Sequence, residues 1–193
     1  AVTFYQSNVI IENCTFQNNY CEDAVNLVKS NFTFSNSMIE NTFSDGLDSD
    51  FSNGTISYSI FKNTGNDCID LSGSNVEINY CEIQNSGDKG ISGGENSIVK
   101  VENTTIDQAK IAIASKDLST ITVSGTTIQN VEISFAAFQK KPEFGPAKVI
   151  VKNSEKETIT RHLIGNGSLL INQNKVQPDT IIGTRPIDIE SLY

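Results

Sequence analysis

A period of about 22 residues runs through most of this chain, and few folds accommodate such a period. Segments starting at Asn8, Asn31, Asn53 and Asn75 read NVIIENCTFQN, NFTFSNSMIEN, NGTISYSIFKN and NVEINYCEIQN, at steps of 23, 22 and 22 residues. Looser copies follow as VKVENTTIDQ from Val99 and TITVSGTTIQN from Thr120. Aligned, they give three apolar columns. One is Ile11, Phe34, Ile56, Ile78, Val101, Val123; the second is Phe16, Ile39, Phe61, Ile83, Ile106, Ile128; the third is Val25, Leu47, Ile69, Ile91, Ile113, Phe135. Within a segment apolar and polar residues alternate, as in VEIN, which is the period of a strand with one buried face. Three short strands per repeat, with no helical pattern between them, specify an all-β parallel β-helix of about seven coils. A leucine-rich horseshoe has a similar period, but its Leu-x-x-Leu-x-Leu skeleton is missing.

One domain, 1–193, follows from this pattern: regular coils over 8–140, an inserted loop over 139–147 (QKKPEFGPA), and a last coil with a C-terminal cap over 148–193. AVTFYQ at the start is either the edge of another coil or the remnant of a longer chain, and the leading Ala suggests processing or excision. The net charge of −9 argues against nucleic acid, whose binding needs basic patches, and against anionic membrane surfaces. No apolar run approaches the roughly 18 residues of a membrane helix, so membrane insertion is not expected. A single His, His162, excludes a multi-histidine metal site.

A further column, Asn18, Asn41, Asn63, Asn85, Gln108, Asn130, places amides one above another. At the ~4.8 Å strand spacing they can hydrogen-bond along the solenoid inside a turn, and Asn also tolerates left-handed backbone. The four cysteines do not suit disulfides. Cys14 and Cys81 share a column three coils apart, about 14 Å by that spacing, beyond the ~7 Å a disulfide spans. Free thiols are expected, with Cys14 a small packing residue beside Ser37, Ser59, Thr104 and Thr126 in the same column.

The chemistry-bearing stretch is acidic. FSDGLDSDFS and GNDCIDLSGS put Asp48 and Asp70 in one column and Asp45 and Asp67 in another, with Asp23 below and Lys89 above. If Ile69 points inward, strand alternation sends Cys68 and Asp70 outward. Two small-residue columns then pave an outer face: Ala24, Gly46, Cys68, Gly90, Ala112, Ser134, and Asn26, Asp48, Asp70, Ser92, Ala114, Ala136. Such a flat strip lets an extended sugar chain, the chain's own loop or another domain lie close to the backbone. The expected contacts are Asn26, Asp48, Asp70, Ser92 and Lys116. Stacked carboxylates repel unless a cation, a shared proton or solvent compensates. No cofactor is required; a hard cation such as calcium suits Asp45, Asp48, Asp67 and Asp70 as ligands. Asp and Gly also recur in turns simply to cap backbone N–H groups and to supply positive φ, which covers Asp45 and Asp67 equally well.

The coils resemble right-handed parallel β-helix repeats of the pectate-lyase-like kind. GDKGISGGE, IAIASKDLS and AAFQKKPEFGPA resemble more narrowly the β-helix regions that accompany CotH-like domains in bacterial surface proteins, over roughly residues 8–175. The resemblance implies an extracellular or cell-surface protein whose partner is a polysaccharide or an adjacent domain of a larger protein. It does not fix an activity, because this superfold hosts lyases, hydrolases and plain binding modules. Two readings remain side by side. One is a binding or scaffolding module that uses the strip. The other is a calcium-assisted lyase or a glycosidase on the same strip, with Asp48, Asp70 and Lys89 as candidate catalytic groups. The Asn-Thr-Asp, Gly-His-Gly and Arg-Ile-Lys motifs of polygalacturonase-like enzymes are absent, as is an Asp-Pro-His signature.

Overall fold

The computed structural model describes residues 1–153 and 161–177. It is a parallel β-solenoid of about seven turns, with no helix among the described residues. Each coil contributes one strand to each of three faces. The first face stacks Val2–Tyr5, Asp23–Val28, Asp45–Asp50, Ile69–Ser72 and Lys89–Gly94. It continues with the second halves of Thr105–Lys116 and Thr127–Phe138, then His162–Gly165. The second face runs from Asn8–Glu12 through Asn31–Ser35, Asn53–Ser57 and Asn75–Asn79 up to Gly167–Ile171. The third runs from Thr15–Gln17 to the first halves of the two long strands. Val2–Tyr5 pairs in register with Val25–Val28, so AVTFYQ is a coil edge. Gly167–Ile171 ends against the short antiparallel strand Asn174–Lys175. Of the last coil and C-terminal cap expected over 148–193, residues 154–160 and 178–193 lie outside the described residues.

The columns read from the sequence are the core. Leu47, Ile69 and Ile91 pair directly, and the column from Val25 to Phe135 is fully buried. Phe34 and Phe61 pack in the middle with ring centroids 5.6 Å apart. The strands turn sharply at corners with positive φ, and Asn fills many of them: Asn36 at 47°, Asn63 at 56°, Asn85 at 53°. Asn reaches this conformation at lower cost than branched residues, which explains its abundance. Asn41, Asn63 and Asn85 each donate from Nδ2 to Oδ1 one coil down, at 3.4, 3.0 and 2.9 Å. This ladder lies on the exposed outside of the corner, not inside a turn, because left-handed backbone swings the side chain toward solvent.

A second ladder was not anticipated. Ser30, Ser52, Ser74, Ser97 and Ser119 are buried at the corner between first and second faces. Each hydroxyl accepts the backbone N–H of the serine one coil earlier, at 2.9–3.0 Å from Ser30 upward. Corner amides cannot join a strand ladder, so the hydroxyls satisfy donors that would otherwise be buried without partners.

The orientation of Cys68 is corrected. Ala24, Gly46, Cys68, Gly90, Ala112 and Ser134 face the interior, not the outer strip. The chain bends as it enters the first face, so two successive residues point inward, as in Cys68 then Ile69. Strand alternation fails at that bend. Small residues are needed because the bend packs against the end of the preceding strand: Thr64 Oγ1 is 3.2 Å from Cys68 Sγ. A Cβ on Gly46 would lie 2.5 Å from the Cys68 carbonyl oxygen. All four thiols are free, with Cys14 exposed rather than packed. Burial pushes Cys68 up to about 12 and Cys81 up to about 11, so both are unreactive thiols.

Candidate functional site

The first face divides into two halves. In its lower coils the outward side chains are polar: Asp23, Asn26, Asp45, Asp48, Asp50, Asp67 and Asp70. In its upper coils, Ser92 and Lys116 apart, they are largely apolar, and Ile111, Ala114, Ile133, Ala136, Phe138 and Leu163 form a buried cluster separate from the solenoid core. The expectation of a small-residue strip open along six coils is therefore corrected. Ser92 is 0% exposed, as are Ala114 and Ala136, and only the stretch from Asn26 to Asp70 is partly accessible. The loop after Phe138 approaches this region. Asp117 Oδ1 accepts the backbone N–H groups of Lys140 and Lys141, each at 2.6 Å, and Lys141 pairs with Glu95.

Register places Asp48 beside Asp70, and Asp70 beside Ser92. Asn26 Nδ2 donates to Asp23 at 3.0 Å and to Asp48 Oδ2 at 3.4 Å. Asp70 Oδ1 accepts the Leu71 N–H at 3.1 Å and lies 3.6 Å from Lys116 Nζ. Burial pushes the Asp48 carboxyl up to about 8, assisted by the charges of Asp50, Asp23, Asp70 and Asp45. Among the described residues, Asn26 Oδ1 and Ser92 Oγ are buried with no hydrogen-bond partner.

Asp45 and Asp67 do different work. Asp45 Oδ1 accepts the Asp67 N–H and the Asn66 amide, both at 2.8 Å. Asp67 Oδ1 accepts the Lys89 N–H at 2.9 Å and lies 3.5 Å from Lys89 Nζ. They form a capping ladder at the turn into the face, the role Asp commonly takes there. Burial raises Asp45 to about 6, against its two hydrogen bonds. Asp67 is 2% exposed, and burial raises it against the pull of Lys89. Lys89 is itself buried at 6% exposure and also pairs with Asp88. Burial alone would lower it, but Asp67 and Asp88 outweigh burial and hold it above its ordinary value. Lys89 is thus a buried, paired cation.

Among the described residues, no three His, Cys, Asp or Glu side chains converge as a metal ion requires. Asp45 and Asp67 turn toward backbone N–H groups while Asp48 and Asp70 share the neighbouring column.

A family model described as a right handed beta helix region matches residues 1–141. The chain belongs to the right-handed β-helix family. No curated protein matches it. Among solved structures, the gp42 tailspike of Acinetobacter phage vb_AbaP_AS12 aligns at 9% identity with a TM-score of 0.49, over 95% of this chain and 49% of the tailspike chain. This β-helix thus spans about half the length of that neighbour. No described helix is long and apolar enough to cross a membrane.

The structure brings Asn26, Asp48, Asp70 and Lys116 together on one face of this β-helix, with Ser92 buried at its upper edge and Lys89 at the start of the same strand as Ser92. Sequence reasoning missed the Lys116–Asp70 pair, which joins residues 46 positions apart in chain but only two coils apart in space. The 22-residue column contained that signal: Lys116 stands two coils above Ser72 and beside the Asp70 column.

Proposed function

We propose that this β-helix is an extracellular binding module that holds a polysaccharide across the lower first face, at Asn26, Asp48 and Asp70, with Lys116 at the upper end. The observation that carries the reading is Asp48. Its carboxyl sits half-buried on an outer sheet face among four other aspartates, with only a 3.4 Å amide contact. A side chain in that position costs stability, and such costs concentrate where a ligand later supplies the missing partner. Neutral at ordinary pH, Asp48 can donate one hydrogen bond and accept others, which suits a row of sugar hydroxyls. The flat, short side chains beside it let an extended chain lie near the backbone. The alternative occupant is a neighbouring domain of a longer protein.

A second reading has one specific observation in its favour. A protonated Asp48 stacked on an ion-paired Asp70 offers an acid and a carboxylate side by side, the pair a glycosidase uses. Elimination with Lys89 as the base is disfavoured, because Lys89 is buried and held protonated.

A screen of oligosaccharides for binding and for cleavage products, with wild type and Asp48→Asn/Asp70→Asn compared, tests both. Binding that the double variant loses supports the module; products that it no longer forms support the glycosidase. Glycan binding and product formation both unchanged by the double variant refute both.

A further inference from the structure

A second surface, at the corner between the second and third faces, is built from Tyr58 and Tyr80. The two rings stack with centroids 5.1 Å apart and planes 1° apart. Both side chains are solvent-facing, at 61% and 52% exposure, so neither contributes to the core. Both occupy left-handed backbone, with φ of 50° and 53°. Elsewhere this corner column carries Asn13, Asn36, Asn103, Gly125 and Asn153, residues that reach positive φ at low cost. Tyrosine is a bulky residue for such a position, and strain of this kind points to a role outside folding.

One face of the Tyr58 ring is covered by Tyr80. The other borders a shallow groove of about 400 Å³ with Asn13, Cys14, Asn36, Met38 and Ile60 on its walls. The groove occupies the next two steps of the aromatic ladder, where Asn13 and Asn36 stand in place of tyrosines. Its lining contains no charged residue. The amides of Asn41, Asn63 and Asn85 are tied into a ladder one corner away, whereas among the described residues the amides of Asn13 and Asn36 have no protein partner.

We infer that this corner is a separate binding site for an uncharged pyranose residue of a glycan, which stacks its C–H face on Tyr58 as the next member of the ladder. The electron-rich ring face of tyrosine attracts the slightly positive C–H face of a sugar. The amides of Asn13 and Asn36 supply donors and acceptors for its hydroxyls. The absence of charge in the groove selects neutral sugars, and the acidic chain as a whole repels polyanions. This site lies on different faces from Asp48 and Asp70 and stands whether or not that face binds a glycan.

The test is an array of neutral and acidic oligosaccharides and a proline-rich peptide, probed with wild type, Tyr58→Asn/Tyr80→Asn and Asp48→Asn/Asp70→Asn. Asparagine is the residue this column already carries, so the tyrosine variant keeps the corner geometry; circular dichroism verifies its fold. The inference predicts binding of neutral hexose oligomers, weakened about ten-fold or more in the tyrosine variant, as loss of an aromatic contact implies. It predicts that binding persists in the aspartate variant. No neutral glycan bound by wild type, equal binding by the tyrosine variant, or a tyrosine-dependent preference for the peptide each overturns it. Loss of all binding only in the aspartate variant also overturns it and leaves the first-face reading intact.

Discussion

Asp48→Asn is the substitution whose effect the structure specifies most closely. The Asp48 carboxyl goes from 3.8 in an unfolded reference to about 8 in the folded protein, chiefly through burial and then through Asp50, Asp23, Asp70 and Asp45. Its folded value is raised, so its stabilising contribution is complete below pH 3.8 and lost as pH rises toward 8. Within that window the unfolded chain releases a proton that the folded chain keeps. Each pH unit then removes about 1.4 kcal/mol of stability. The other aspartates titrate nearby and share the penalty, so a slope of roughly 1 kcal/mol per unit is the working figure. Asparagine has the same shape and no charge, and it lacks this slope. Guanidinium unfolding of both proteins at pH 5, 6 and 7, followed by circular dichroism, reads the difference. The variant should gain about 2 kcal/mol on wild type between pH 5 and 7. A gap that stays constant over that range would mean that Asp48 is already ionised in the folded state, and the argument for an unpartnered, neutral carboxyl would be wrong.

Other substitutions test the framework around it. Asp67→Ala removes the acceptor of the buried Lys89 N–H and one of the two carboxylates beside its ammonium, leaving Asp88, and should cost about 1–3 kcal/mol by thermal or chemical unfolding. Asn63→Ala breaks two rungs of the exposed amide ladder and puts alanine at φ 56°, for a loss of about 1–2 kcal/mol, of which Asn63→Gly should recover part. Ile69→Ala empties a fully buried core position and should cost about 2–5 kcal/mol. With the aspartates arranged as found, EDTA should leave the melting temperature unchanged; a fall that calcium reverses would show that they regroup around an ion.

The coil architecture was legible because a solenoid repeats one environment along the chain. Ile11, Ile39 and Ile69 each belong to a column whose members are buried, apart from the partly buried Phe16 at the end of the solenoid, so a single alignment identifies three core rows. The corner asparagines were legible for the same reason, although not the side of the corner on which their amides lie. Cys68 was misread because period-two alternation holds only within a strand, and the bend before Ile69 turns two successive residues inward. The burial of Ser92 was hidden for another reason. Alternation tells that a side chain leaves the sheet on its outer side, not whether other chain lies above that side. The charge state of Asp48 was equally hidden, since it depends on burial and on acids from three coils. The serine ladder lay in plain view as Ser30, Ser52, Ser74, Ser97 and Ser119, but its bonds run from backbone to hydroxyl and leave no apolar mark.

The most direct test of the proposed function is a crystal structure of the protein soaked with the oligosaccharide that binds best in the screen. The account predicts sugar density across Asn26, Asp48 and Asp70, with a hydroxyl within hydrogen-bond distance of the Asp48 carboxyl. Density confined to other surfaces, with the Asp48–Asp70 face bare at saturating ligand, would contradict it.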